Sequence, residues 1–213
     1  MDFGFGIMIL GLFLFLSAGD IAYWNAWLYL TVLAGSGLLI GVYLFRNSNE
    51  VLQKKPNSKE KEKGQDIYSY STGISLFLIL GLSGLDYRLG WSCVHLVAVL
   101  TATVVMLLGI GLITAVLKQN SFATKTVGIQ KEQKVVDTGV YSVIRHPMYA
   151  AVLTIFLASP VLLGSYYALI PIVFFLTGVI LRIKREEKIL CKGLDGYSDY
   201  MEQVKYKMIP YIW

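Results

Sequence analysis

PMYAAVLTIFLASPVLLGSYYALIPIVFFLTGVIL, residues 147–181, runs for 35 residues without a charged side chain. A helix crossing a bilayer needs about 20 apolar residues, within a range of about 17–25. This stretch is too long for one crossing. Gly164-Ser165 falls near its middle and supplies a turn. The reading is a tight helical hairpin with almost no connecting loop. Its two ends then return to one membrane face. Arg145-His146 stands immediately before it, and Arg182, Lys184, Arg185, Glu186 and Glu187 follow it. Lipid penalises such groups unless they are partnered or engaged in chemistry. Two polar clusters bracketing one hairpin point to a site at the membrane surface, not to a pore.

Outward from the hairpin, four more apolar runs can be marked, over residues 3–18, 24–45, 70–85 and 94–117, and the hairpin itself divides into 147–163 and 166–181. The chain is 55% hydrophobic and only 15% charged, against about 25% charged in a soluble domain. The expected fold is therefore all-α. It is a polytopic integral membrane protein with about six transmembrane helices, five being the alternative count. Lys and Arg set the orientation. Segments 46–69, 118–146 and 182–213 hold six, five and seven of them, which is 18 of the 19 in the chain; only Arg88 falls elsewhere. Both termini are expected in the cytoplasm. The net charge of +5 is explained by this flanking pattern. A nucleic-acid partner is not expected, because the basic residues do not form one soluble face.

Residues 1–117 read as N-terminal membrane helices with a charged loop at 46–69, and residues 118–213 as the functional half. The linker at 50–66 is rich in Lys, Glu and turn formers, as expected of a solvated loop. Met1-Asp2 leads straight into apolar residues without the basic segment of a signal peptide, so the first run is expected to be a retained helix. Tyr197, Tyr200, Met201 and Val204 follow helical spacing and predict an amphipathic cytoplasmic tail helix. Cys93 and Cys191 fall on opposite faces of this topology, so neither a disulfide nor a metal site is expected. The oligomeric state stays open, since Gly-rich helices two and four could pack within one chain or across a dimer.

The residues with chemical potential gather in 133–149 and 182–187. Gly139 can take positive φ and let the backbone approach a ligand. Pro147 suits a first helical position, which puts Arg145 and His146 at a helix N-terminus that favours anions. Arg182 and Glu186 are spaced i, i+4 and could pair. Across the hairpin, Arg145, His146 and Tyr149 can meet Arg182, Glu186 and Glu187. Such a pocket suits a zwitterion, with Arg or backbone N–H on a carboxylate and Glu on an ammonium or on hydroxyls.

The run Gly139-Val140-Tyr141-Ser142-Val143-Ile144-Arg145-His146-Pro147-Met148-Tyr149 resembles the GxYxxxRHPxY signature of membrane methyltransferases related to isoprenylcysteine carboxyl methyltransferase and phospholipid methyltransferases. The resemblance covers roughly the last 95 residues, with Asn120, Val135-Val136, Glu186-Glu187, Tyr197, Tyr200 and Ile209-Pro210 at matching positions. It implies S-adenosyl-L-methionine as cofactor, bound on the cytoplasmic side. It assigns cofactor contacts to Val136, Gly139, Tyr141, Arg145, His146, Tyr149, Glu186 and Glu187. It also implies catalytic roles for Arg182, Glu186 and Glu187, with Arg182 facing the polar head of the substrate. Gln133, Ala151 and a displaced Gly193 depart from the pattern, which bears on prenylcysteine specificity more than on methyl transfer.

The implied partner is a lipophilic or amphiphilic methyl acceptor reached through membrane lipids. It could be the carboxylate of a prenylcysteine-like substrate, a lipid amine or a small acid. A carboxylate needs no base; an amine must lose a proton, which Glu186 or Glu187 could accept. Two other classes compete. One is a membrane reductase resembling the steroid reductases and using a nicotinamide cofactor. The other is a non-enzymatic transport or assembly protein, which would predict polar residues at mid-membrane.

Overall fold

The computed structural model describes residues 3–46, 65–120 and 134–213. Most of the charged linker lies outside these residues, as does Gln133. Within them the chain is all-helical, with α1 (Phe3–Ala18), α2 (Trp24–Arg46), α3 (Gln65–Leu89), α4 (Leu96–Gln119), α5 (Pro147–Leu162), α6 (Ile172–Gly193) and α7 (Tyr197–Gln203). Short 3-10 turns occupy Gly139–Ser142 and Tyr167–Leu169, and no strand is formed among the described residues.

Among the described residues, four stretches are long and apolar enough to cross a membrane: Trp24–Tyr43, Tyr68–Leu89, Leu96–Gln119 and Tyr167–Gly193. α1 and α5 have 16 residues each. At 1.5 Å per residue each is about 24 Å long, short of a hydrocarbon core about 30 Å thick.

The hairpin forms, but its connection is longer than predicted: residues 163–171, with the 3-10 turn Tyr167–Leu169, separate α5 from α6. Pro147 starts α5 at a first-turn position. Gly164 carries the chain through the turn with φ +79°. The second arm continues past the end of the apolar run to Gly193, in line with the helical spacing of Arg182 and Glu186. Sidedness explains the extension. Lys184, Arg185 and Lys188 are exposed, while Arg182, Ile183 and Glu187 are buried. The charged segment is thus an amphipathic continuation of the membrane helix.

α5 packs most extensively on α4, and α3 bridges α1 and α6. One apolar cluster joins Leu14, Tyr23, Met106 and Leu162, drawn from the α1–α2 region, α4 and α5. A second joins Ile79, Phe156, Phe175, Val179 and Ile183 with Met208 of the tail. The tail face is inward: Tyr197, Tyr200 and Val204 bury with Leu194, against Val135 and Leu190.

At the closed end of the hairpin, Asp86 is 1% exposed. It accepts hydrogen bonds from the Ser92 backbone N–H and the Ser92 hydroxyl, both at 2.7 Å, and from the Ser165 hydroxyl. The Tyr23 hydroxyl donates to the Leu163 carbonyl, and Asn25 Nδ2 donates to the Leu162 carbonyl at 2.8 Å. The turn is thereby fixed to α3 and to the start of α2, and the open end of the hairpin is left to be organised separately.

Candidate active site

The open end brings together the two polar clusters that the sequence keeps about forty residues apart. Arg145 Nε donates to Glu187 Oε1 at 2.8 Å, and His146 Nε2 lies 3.2 Å from the same oxygen. Lys207 Nζ donates to Glu187 Oε2 at 2.6 Å. Glu187 is 5% exposed, so burial of its charge is offset by close cationic partners.

The tail closes this corner through backbone contacts. Arg145 Nη1 donates to the Val204 carbonyl at 2.5 Å and to the Lys205 carbonyl at 3.0 Å. The backbone N–H groups of Arg145 and His146 donate to the carbonyls of Tyr206 and Lys207. Arg145 therefore acts as a fork that ties α6 and the tail to the start of α5.

Glu186 occupies a different position. It is half-buried, and its Oε2 accepts from the Tyr149 hydroxyl at 2.7 Å. The same hydroxyl accepts from Arg182 Nε. Arg182 and Glu186 thus communicate through Tyr149 as an oriented chain. Arg182 is buried, with its guanidinium 4.5 Å from the centre of the Tyr68 ring.

The approach to the corner is built from the turn at Gly139–Ser142. Gly139 takes φ +59°. A Cβ there would collide with the Gln119 side chain, whose Oε1 accepts from the Val140 backbone N–H at 3.0 Å. Asn120 Nδ2 donates to the Tyr141 hydroxyl at 3.0 Å. The Tyr200 hydroxyl donates to the Tyr141 carbonyl at 2.7 Å. Burial raises the Tyr141 and Tyr200 hydroxyls above the ordinary tyrosine range. Val136 is half-buried beside Val135, which packs into the tail cluster.

The nine residues expected to form the site separate into three groups. Arg145, His146 and Glu187 are mutually engaged and buried. Tyr149, Arg182 and Glu186 form the adjoining chain, and Val136, Gly139 and Tyr141 lie on the segment beneath the tail. Three further residues join them without having been singled out in the sequence: Gln119, Lys207 and Tyr68. Gln119 carried a weak signal, standing one position before the Asn120 that matches the signature. Lys207 was one basic residue among several in the tail, and Tyr68 fell within the charged 46–69 loop, two residues before the apolar run at 70–85.

An all-helical membrane protein with a mixed-charge corner at the open end of a helical hairpin is the class defined so far. Residues 97–194 match the model of the family described as Phospholipid methyltransferase. The match runs from α4 to the end of α6 and makes this part of the chain similar to that family. It contains Arg145, His146, Tyr149, Arg182, Glu186 and Glu187; Tyr68, Tyr200 and Lys207 lie outside it. No curated protein matches the chain.

Proposed function

We propose that the protein transfers a methyl group from S-adenosyl-L-methionine to a lipophilic or amphiphilic acceptor at the cytoplasmic surface of a membrane. The observation that carries this reading is the convergence of Tyr149 and His146 with Glu186 and Glu187, inside the region that matches the methyltransferase family. The residues suit the cofactor. A half-buried carboxylate at Glu186 can receive an ammonium or ribose hydroxyls. The start of α5 and the 134–142 segment supply backbone donors for a carboxylate.

When bound, S-adenosylmethionine supplies an activated sulfonium methyl group. The chain's own task is then alignment and exclusion of water. In this reading Glu186 contacts the cofactor. Glu187, engaged by Arg145, His146 and Lys207, positions the corner from behind. His146, Tyr149, Val136, Gly139 and Tyr141 line the cofactor's side, and Arg182 faces the acceptor's polar head. With an amine acceptor Glu186 takes the released proton; with a carboxylate acceptor no base is needed. Six crossings with both termini cytoplasmic accord with the distribution of Lys and Arg.

Thermal melting of the detergent-solubilised protein with S-adenosylmethionine, S-adenosylhomocysteine or NADPH tests the reading. Stabilisation by the first two is expected. A response to NADPH alone would favour a reductase, and no response would favour a non-enzymatic role. A labelled-methyl screen against total lipid extract then identifies the acceptor class.

A further inference from the structure

Tyr68 stands near the start of α3, outside the 97–194 stretch that matches the family. Its ring meets both ends of the Arg182–Tyr149 chain. The Arg182 guanidinium lies 4.5 Å from the Tyr68 ring centroid, within cation–π range. The Tyr149 ring meets Tyr68 edge to face, with centroids 5.7 Å apart and planes at 74°. Phe175 closes the apolar side at 6.4 Å.

The helix crossing that brings Tyr68 there is visible at Gly178. A Cβ at this position would collide with Ser71 Oγ and sit 3.7 Å from Tyr68 Cα. The missing side chain therefore lets α3 and α6 approach closely. Gly178 and Arg182 are four residues apart on α6, and Ser71 and Tyr68 three apart on α3, so each pair lies along one helix face. The Ser71 hydroxyl donates to the Tyr68 carbonyl at 3.0 Å, which turns it inward at the crossing.

We propose that Tyr68 is a positioning residue for the methyl acceptor: its ring face fixes the Arg182 guanidinium, and through Arg182 it orients the acceptor's head group. The N-terminal half of the chain thus supplies a wall of the site. The assignment rests on the methyl-transfer reading and extends it to the acceptor side.

The test compares Tyr68→Leu and Tyr68→Phe in the full-length protein, alone and combined with Arg182→Met, which removes the cation. Three quantities are read: S-adenosylmethionine affinity by calorimetry, melting temperature, and labelled methyl transfer into total lipid extract. Tyr68→Leu is expected to lower kcat/KM for the acceptor about tenfold, the scale of a desolvated cation–π contact. Cofactor affinity should stay within about twofold. Tyr68→Phe, which keeps the ring face, should rescue most of the loss. In the Arg182→Met background Tyr68→Leu should add little, since the cation that the ring holds is already gone.

Parent-like transfer by Tyr68→Leu would overturn the assignment. So would additive losses in the double variant, a fall in cofactor affinity matching the fall in transfer, or no rescue by Tyr68→Phe. A parent chain that neither binds S-adenosylmethionine nor labels any lipid component overturns the methyl-transfer reading itself. Parent activity with an unaffected Tyr68→Leu overturns only the role of Tyr68.

Discussion

At the closed end of the α5–α6 hairpin, Asp86 is surrounded by neutral donors, a backbone N–H and two serine hydroxyls. At the open end, Glu187 is surrounded by Arg145, His146 and Lys207. Both carboxylates are buried, and the environments serve different ends. The neutral network fixes a tight turn whose residues lie close in space to α3. The charged cluster draws the start of α5, the middle of α6 and the tail to one point. A second carboxylate, Glu186, stays half-buried beside it. The difference teaches where chemistry can be sited: one end is closed around a neutral network, and the other holds its shape through Glu187 while Glu186 remains within reach of a ligand.

The largest effect is expected at Glu187. Replacing it with Ala leaves Arg145 and Lys207 with a buried, unmatched corner and should cost about 3–5 kcal/mol. Melting in detergent should show the loss, and limited proteolysis should show release of the tail. A loss below about 1 kcal/mol would mean that the cluster does not organise the open end. Asp86→Asn comes next, at about 1–3 kcal/mol, because one acceptor oxygen is replaced by a donor. Its sharper value is in what it should leave unchanged, the affinity for S-adenosylmethionine. If affinity falls with stability, the two ends are not separable.

The smallest effect concerns the tail. Tyr200→Phe removes the bond to the Tyr141 carbonyl and should cost about 0.5–1.5 kcal/mol. A pH series on the parent examines the same contact. Burial raises the Tyr197 and Tyr200 hydroxyls above the ordinary value of 10.0, with Glu187 and Glu186 adding to the rise at Tyr197 and Tyr141 adding to it at Tyr200. The folded state therefore holds protons that the unfolded chain releases. The associated stability is complete below about pH 10 and is lost as pH rises toward the higher folded values. Melting temperatures should fall in alkali, and less steeply in Tyr200→Phe. Equal slopes would remove the tail contact from the account.

Much of this architecture could be read in advance because membrane helices announce themselves by length and apolarity. The hairpin, its Gly164 turn and the Pro147 start needed no tertiary information. The meeting of His146 and Tyr149 with the two Glu residues followed from the return of both hairpin arms to one face. Other features were not legible because they depend on contacts far apart in sequence. Lys207 reaches Glu187 only through the path of the tail. Tyr68 reaches Arg182 only because α3 and α6 cross closely at Gly178. Asp86 marks the edge of an apolar run in sequence, and its burial depends on Ser165 from the hairpin turn. That Glu187 faces inward from the charged end of α6 was hidden, since hydropathy alone does not show which side of that segment is buried.

Isothermal titration of the solubilised protein with S-adenosylmethionine tests the central claim most directly, with parent, Glu186→Ala, His146→Ala and Asp86→Asn side by side. Saturable binding by the parent is expected, weakened about tenfold or more in Glu186→Ala and His146→Ala, on the scale of a lost hydrogen bond to a charged group, and unchanged in Asp86→Asn. Absence of binding, or one affinity shared by all four proteins, would contradict a cofactor site at the open end of the hairpin.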